Sequence, residues 1–296
     1  MKMENQHLTI LNVFHNTPDD FKHFIHPFIY KIHDIVKHLI RQKTRQQLVT
    51  EMYNVTDGMV LLSSSYKDIF LKCYEVDAGD KIHIIPNPLT YKVDASEVNI
   101  ERKEKVVLVA SRLAAQKNLL SLLRIWKRVE KENSDWKLVI VGKGKDEHKL
   151  KAYTKKAYLK NVYFEGHVSD VKPFYLRSSI LSITSSFEGF PMSLLEAMQT
   201  GNAIIAFDTF NVIHDINSYK RCIIPIKPYD EELYANSLLD LMRDKQLRNS
   251  LAYNGVNVST NYSVDIIGKQ WINLFLKLKS GHNEYEQAFS QQSPCY

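Results

Sequence analysis

From residue 104 onward, strand-like and helix-like segments alternate, and this constrains the fold more than any other feature of the sequence. Val106 to Ala110 is a short apolar run. Leu119 to Val129 then has helical spacing, with Leu119, Leu122, Leu123, Trp126 and Val129 on one side. Lys137 to Val141 is again strand-like and ends in Gly142-Lys143-Gly144, and the polar, basic segment 146–158 reads as a surface helix. Val162–Phe164, Ile180–Ile183 and Ala203–Phe207 read as further strands, separated by helices at 171–177 and 192–200. Ile223–Ile226 reads as a last strand before a helix over Asp230–Met242. Strands that alternate with helices, without hairpin signals, predict an α/β fold whose parallel sheet is covered on both faces.

The first hundred residues carry weaker signals. His7–Phe14 and Gly58–Leu62 read as strands, Phe28–Ile40 and Ser65–Lys72 as helices. Ile82–Ile85 leads into a rigid Pro86-Asn87-Pro88 turn. The expected organisation is a first domain at 1–90, a polar linker at 91–104 and a second domain at 105–262. A helix at 263–280 is expected to pack back toward the first domain, and 281–296 reads as a loose polar tail. A chain of 296 residues accommodates two domains. The formal net charge of +6 permits an anionic substrate or a membrane surface without demanding nucleic acid. No apolar run is long enough to span a bilayer, and the N-terminus lacks a signal-peptide core. Cys73, Cys222 and Cys295 are scattered, without metal-ligand spacing, so the expected location is cytoplasmic.

Chemistry concentrates in two places. Residues 184–201, Thr-Ser-Ser-Phe-Glu-Gly-Phe-Pro-Met-Ser-Leu-Leu-Glu-Ala-Met-Gln-Thr-Gly, read as a strand end, a loop with Glu188 and Gly189, and a helix that starts at Pro191, carries Glu196 and stops at Gly201. A helix N-terminus at the carboxyl end of a strand favours anionic groups such as phosphate. Ser111-Arg112-Leu113-Ala-Ala-Gln-Lys117-Asn118 follows directly on another strand. There an arginine fork and a lysine point charge can converge on one phosphate group. Each element alone also fits solvated loop cations or carboxylates beside a helix N-terminus.

Taken in order, strand, Arg-x-x-x-x-Lys, helix and Glu-Gly-Phe-Pro-x-x-x-x-Glu resemble the family-four retaining glycosyltransferases of the GT-B fold, glycosyl transferases group 1. The resemblance runs over roughly 82–278, and includes Ile-Pro-Asn-Pro at 85–88, Val-Gly-Lys-Gly at 141–144 and Val-x-Phe-x-Gly-His at 162–167. It implies two Rossmann-like domains with parallel sheets. It also implies transfer of a sugar from a nucleotide-sugar donor to a glycan or lipid-linked acceptor in bacterial-type envelope polysaccharide synthesis. Arg112 and Lys117 would hold the donor diphosphate and stabilise it as it leaves, a task a metal performs in the other major glycosyltransferase fold. The sequence contains no Asp-x-Asp, in line with an expectation of no metal and no cofactor. Glu196 matches the carboxylate that accepts from the ribose hydroxyls, and Glu188 the one facing the donor sugar. Gly189, Phe190, Pro191, Met192, Ser193 and Leu195 would surround the sugar and phosphate, with glycine at 189 leaving room for the approach. Gly142, Gly166 and His167 are further expected donor contacts. His15, in Phe-His-Asn-Thr-Pro, is similar to a family histidine that reaches the sugar, and reads equally as an ordinary loop histidine.

The match has departures. The family's first domain begins with a strand, a Gly-Gly-rich loop and several β-α units that this sequence lacks, so that domain is expected to be short by roughly a hundred residues. This motivates an alternative: a catalytically silent nucleotide-sugar-binding protein or subunit. After Asp208 the usual glycine-containing loop is missing, and Ser111 stands where glycine is common. Lys22 to Arg45 joins six cations to an apolar stripe with Asp34 as its acid. That segment reads either as a domain helix with its stripe in the core, or as a peripheral contact with anionic lipid on the inner face of the plasma membrane. The Lys-rich stretch 143–160 reads as a solvated face and not as a nucleic-acid site, which leaves a basic nucleic-acid-binding protein as the weakest reading.

Overall fold

The computed structural model describes residues 10–15, 45–77 and 79–290, with residues 280–290 by backbone alone. The chain divides into two compact units: Met1–Pro88 with Val264–Tyr296, and Leu89–Ser263.

In the first unit, β1 (Leu11–Phe14), helix α1 (described over 45–55), β2 (Gly58–Leu61), α2 (Tyr66–Tyr74) and β3 (Ile82–Ile84) follow in order. The three strands are parallel, in the order β1-β2-β3. β2 is the middle strand and is buried on both faces, which is why it reads as an unbroken apolar run. Phe70 and Tyr74 of α2 meet the Phe14 ring edge-on, at centroid distances of 5.5 and 5.8 Å. The last helix of the chain, Val264–Ser290, lays Ile267 and Leu274 against Val60 and Ile85. The segment read as a loose tail is therefore helical as far as Ser290. Glu284, Glu286, Gln287 and Ala288 are good helix formers, and their polarity does not argue against a helix. Phe28–Ile40 and most of the basic segment Lys22–Arg45 lie outside the described residues. Arg45 itself belongs to α1 and sits over the Phe14 ring.

The second unit contains β4 (Glu104–Ala110), α3 (Leu119–Glu132), β5 (Lys137–Val141), α4 (Glu147–Lys156), β6 (Val162–Gly166), α5 (Lys172–Arg177) and β7 (Ser178–Ile183). It continues with α6 (Met192–Gln199), β8 (Ala203–Phe207), α7 (Val212–Tyr219), β9 (Ile223–Ile226), α8 (Glu231–Arg243) and α9 (Lys245–Ser259). Its six strands are all parallel, in the order β6-β5-β4-β7-β8-β9. The chain steps outward from β4 to one side and then restarts at β7 on the other. That reversal opens a crevice above the carboxyl ends of β4 and β7, the place where doubly wound sheets bind ligands.

Helix packing follows from the sequence stripes. Leu119, Leu122, Leu123, Trp126 and Val129 of α3 are all buried with Trp136, Phe207 and Leu238 in one core. Each such side chain contributes on the order of 1.5–3 kcal/mol by leaving water. Tyr234 of α8 shares a hydrogen bond with Ser182 Oγ (2.7 Å) and donates to the Ile205 carbonyl (2.9 Å), fixing that helix across β7 and β8.

One reading needs correction here, and two helices carry little signal in the sequence. The supposed linker 91–104 belongs to this unit: it carries two 3-10 turns, Ala95–Glu97 and Ile100–Arg102, and Ile100 is buried. A Cβ at Gly201, where φ is +71°, would lie 2.7 Å from Ile100 Cγ1, so the residue that stops α6 also admits this segment. Helix α7 was not expected, because Asn-Val-Ile-His-Asp has low helix propensity. Burial of Val212, Ile213 and Ile216 overrides that preference. Helix α9 is polar enough to hide its stripe, but the Asp244 side chain caps it by accepting from Leu247 N (2.9 Å).

Candidate active site

Two loops above the β4/β7 crevice are fixed to their neighbours by backbone hydrogen bonds. In the loop after β4, Ser111 N donates to the Val141 carbonyl and Leu113 N to that of Lys143, while Asp146 N donates to the Leu113 carbonyl, all at 3.0 Å. Backbones this close leave no space for side chains. A Cβ at Gly142 (φ +133°) would lie 1.9 Å from Ser111 O, and one at Gly144 would lie 2.2 Å from Leu113 O. The Gly-Lys-Gly turn is therefore what allows Arg112 to be held where it is.

Further along the same loop, the 3-10 turn Ala115–Lys117 ends at Asn118, whose left-handed backbone (φ 49°) starts α3. Thr184 Oγ1 donates to Lys117 O (3.0 Å), Ser186 N to Gln116 O (2.7 Å) and Gln116 Nε2 to Phe187 O (2.9 Å). These bonds join the β4 loop to the β7 loop. On that frame Lys117 Nζ forms an ion pair with the Glu188 carboxylate, the two side chains being only 16% and 9% exposed.

Pro191 caps α6 from outside, with extended backbone (φ −70°, ψ 117°), so the helix starts one residue later than expected. Phe190 is buried against the Tyr262 ring, 5.7 Å between centroids. Glu196 sits one turn into α6. Burial holds its carboxyl above the ordinary carboxylate range, with the hydroxyls of Tyr175 and Thr90 pulling the other way.

These parts enclose a cavity of about 510 Å³, a size suited to a small-molecule ligand. Of the residues singled out from sequence, Arg112, Lys117, Gly142, His167, Glu188, Phe190, Pro191, Met192, Ser193 and Glu196 line it. Leu195 does not: it is wholly buried on the inner side of α6 with Leu194 and Met198, because a helix shows a cavity only one face. Gly166 stands behind the lining, its carbonyl accepting from Gly142 N (2.7 Å). Gly189 is not among the lining residues, and His15 is an exposed residue of the first unit. Sequence reading missed Lys143, Val168, Val171 and Tyr175, which complete the wall together with the strand ends Ala110 and Val141 and with Ser111. Lys143 lay between two glycines already singled out, and Val168 directly follows His167.

The cavity thus brings three cations, Arg112, Lys117 and Lys143, into one space with two carboxylates and the start of α6. Such a set suits an anionic group attached to hydroxyl-bearing rings. Glu196 makes the arrangement testable by pH. Its raised folded pKa means that the folded chain holds the proton over a window where the unfolded chain has lost it, so stability falls as pH rises through that window. Glu196→Gln is expected to melt at a higher temperature than the wild type at pH 8 and at the same temperature near pH 4. If the carboxylate accepts from a ligand, the variant also binds that ligand more weakly at pH 8. Equal melting curves at both pH values would contradict this assignment.

The family model described as Glycosyl transferases group 1 matches residues 92–258. Among curated proteins, the amylovoran biosynthesis glycosyltransferase AmsD of Erwinia amylovora is 28% identical over 224 residues, covering 74% of this chain and 62% of that protein. The poly(glycerol-phosphate) alpha-glucosyltransferase of Bacillus subtilis is 22% identical over 253 residues, covering 84% of this chain and 37% of that protein. The chain therefore spans less than two thirds of the length of these relatives. Among solved structures, an S. aureus TarM mutant in complex with Fondaparinux, alpha-GlcNAc-glycerol and UDP superposes with a TM-score of 0.74. It is 20% identical, with 93% of this chain and 52% of that one covered. These neighbours bear out the expected GT-B type α/β fold with parallel sheets, three strands in one sheet and six in the other among the described residues.

Proposed function

This chain belongs to the glycosyl transferases group 1 family, and on that premise we propose that it is a retaining glycosyltransferase that moves a sugar from a nucleotide diphosphate donor to a bacterial glycan or lipid-linked acceptor. The observation that carries the reading is the convergence of Arg112 and Lys117 with Glu188 and Glu196 in one cavity at the start of α6. Arg112 and Lys117 take the diphosphate. Their charge stabilises it as it departs, which we propose replaces a metal ion. Glu196 accepts from the ribose hydroxyls and Glu188 faces the donor sugar. The acceptor hydroxyl attacks from the side the diphosphate leaves and passes its proton to the leaving phosphate, so the anomeric configuration is kept without an enzyme nucleophile.

UDP is the first nucleotide to try, because the TarM neighbour was crystallised with it. The relatives named above include one for amylovoran and one for poly(glycerol phosphate), which support an envelope or exported polymer as acceptor class. Among the described residues no helix is long and apolar enough to cross a membrane. We propose that any membrane contact is peripheral, on the side where nucleotide sugars are made.

The test is transfer from UDP-glucose, UDP-N-acetylglucosamine, GDP-mannose and ADP-glucose to poly(glycerol phosphate) and to a lipid-linked sugar, with EDTA present and the product's anomeric configuration read by NMR. An α-linked product from an α-donor, formed in EDTA, is the expected result. An inverted product would overturn the mechanism. Nucleotide binding with no turnover on any acceptor would favour a silent donor-binding protein.

A further inference from the structure

Residues 137–160, the β5–α4 segment and its flanks, contain eight lysines, with Asp146 and Glu147 as their acids. That excess of six equals the formal charge of the whole chain, so the remaining sequence is balanced. The fold turns this local excess into a surface. Leu150 is buried in the core of the second unit and Tyr153 packs against it, so α4 leaves Lys149, Lys155 and Lys156 exposed, with Lys151 exposed but paired to Glu147 (2.7 Å). Lys145 and Lys160 extend the exposed row at either end. Lys143 lines the cavity, so this basic segment begins at the candidate site.

We propose that this face of α4 anchors a polyanionic acceptor, a polymer of phosphodiester-linked sugars or polyols. The proposal rests on the glycosyltransferase reading above and assigns the chemical class of its acceptor. Three observations favour a hydrated polymer over a lipid surface. The outward side of α4 has no apolar stripe: Leu150 and Tyr153 pack toward the core, Ala152 is the one exposed apolar residue, and a helix needs a stripe to enter a bilayer interface. The cations of α4, from Lys149 to Lys156, are spread along about 10 Å of helix, enough to meet successive charges of an extended chain. Tyr158, 86% exposed with a left-handed backbone (φ 55°), stands between Lys156 and Lys160 and offers a flat ring to sugar or polyol carbons. Holding a long polymer at a second place raises the local concentration of its acceptor hydroxyls at the donor cavity.

The test uses the full chain and a triple charge reversal, Lys149→Glu, Lys155→Glu and Lys156→Glu, which leaves every cavity residue in place. The probes are a poly(glycerol phosphate) oligomer, phosphatidylglycerol vesicles and UDP. The wild type is expected to bind the oligomer in a salt-sensitive way. The variant should bind it at least ~10-fold more weakly, with its UDP affinity and melting temperature unchanged. Equal oligomer affinity in the two proteins would overturn the proposal. So would vesicle binding that the oligomer fails to displace, or a wild type that binds UDP and ignores the oligomer. A wild type that binds the oligomer through these lysines but ignores every nucleotide would keep this surface and sink the donor reading.

Discussion

Glu188→Gln is expected to lower sugar transfer by ~10²–10³-fold while UDP binding stays as tight as in the wild type or becomes tighter. The reason lies in the ion pair. In the free protein Lys117 is held by Glu188 in a nearly enclosed position. An arriving diphosphate must compete with that carboxylate for the same ammonium group. Glutamine keeps the size of the side chain and removes the competing charge, so Lys117 becomes available to the phosphates, while the sugar loses the carboxylate that we propose it faces. The same substitution leaves a largely buried cation without its counter-charge, a change that typically costs about 3 kcal/mol or more in a protein interior. The unliganded variant should therefore melt several degrees lower, and saturating UDP should restore part of the difference. Calorimetry, melting curves and single-turnover assays on one preparation separate these effects. Wild-type turnover in the variant would contradict the role given to Glu188, and a large loss of UDP affinity would contradict the competition.

Gly142→Ala should be more damaging than any change to a lining side chain other than Arg112. The new methyl group would be placed 1.9 Å from the Ser111 carbonyl oxygen, and the residue would keep a φ of +133° that L-residues avoid. The obstacle is backbone, so no rotamer change relieves it. The loop after β4 must shift, and Arg112 shifts with it. Strain of this kind costs on the order of 1–3 kcal/mol before the overlap is counted. For a chain of this size each kcal/mol lowers Tm by about 2–4 °C. The expected outcome is a melting temperature lower by about 5–10 °C and UDP binding too weak to measure. Asn118→Gly is the control. Its left-handed φ of 49° is one glycine adopts freely, so stability and binding should stay close to wild type. If Gly142→Ala matched the wild type in both measurements, the loop would not be held by the close approach described here.

The sequence made much of the second unit legible, for a physical reason. Its strands are buried on both faces and appear as apolar runs, and the α3 stripe has clean helical spacing, so both patterns survive in one dimension. Four charged residues of the cavity wall, Arg112, Lys117, Glu188 and Glu196, were also legible, because they stand in motifs that resemble those of a known family. What stayed hidden depends on three-dimensional contact. Burial makes α7 helical against the preference of its own residues, and Ile100 ties the apparent linker to the second unit through Gly201. Leu195 lies beside Glu196 in sequence but one residue's rotation away on the helix, which takes it out of the cavity. Lys143 looked like part of a basic run and proved to be part of the wall.

The central claim is that the second unit holds a nucleotide diphosphate between Arg112, Lys117 and the start of α6. Isothermal titration of the full chain and its Arg112→Ala variant with UDP, GDP and ADP tests it most directly. Saturable one-to-one binding of one nucleotide, weakened at least ~10²-fold in a variant that melts like the wild type, is the predicted result. Binding that the variant retains in full, or no binding of any of the three by the wild type, would contradict it.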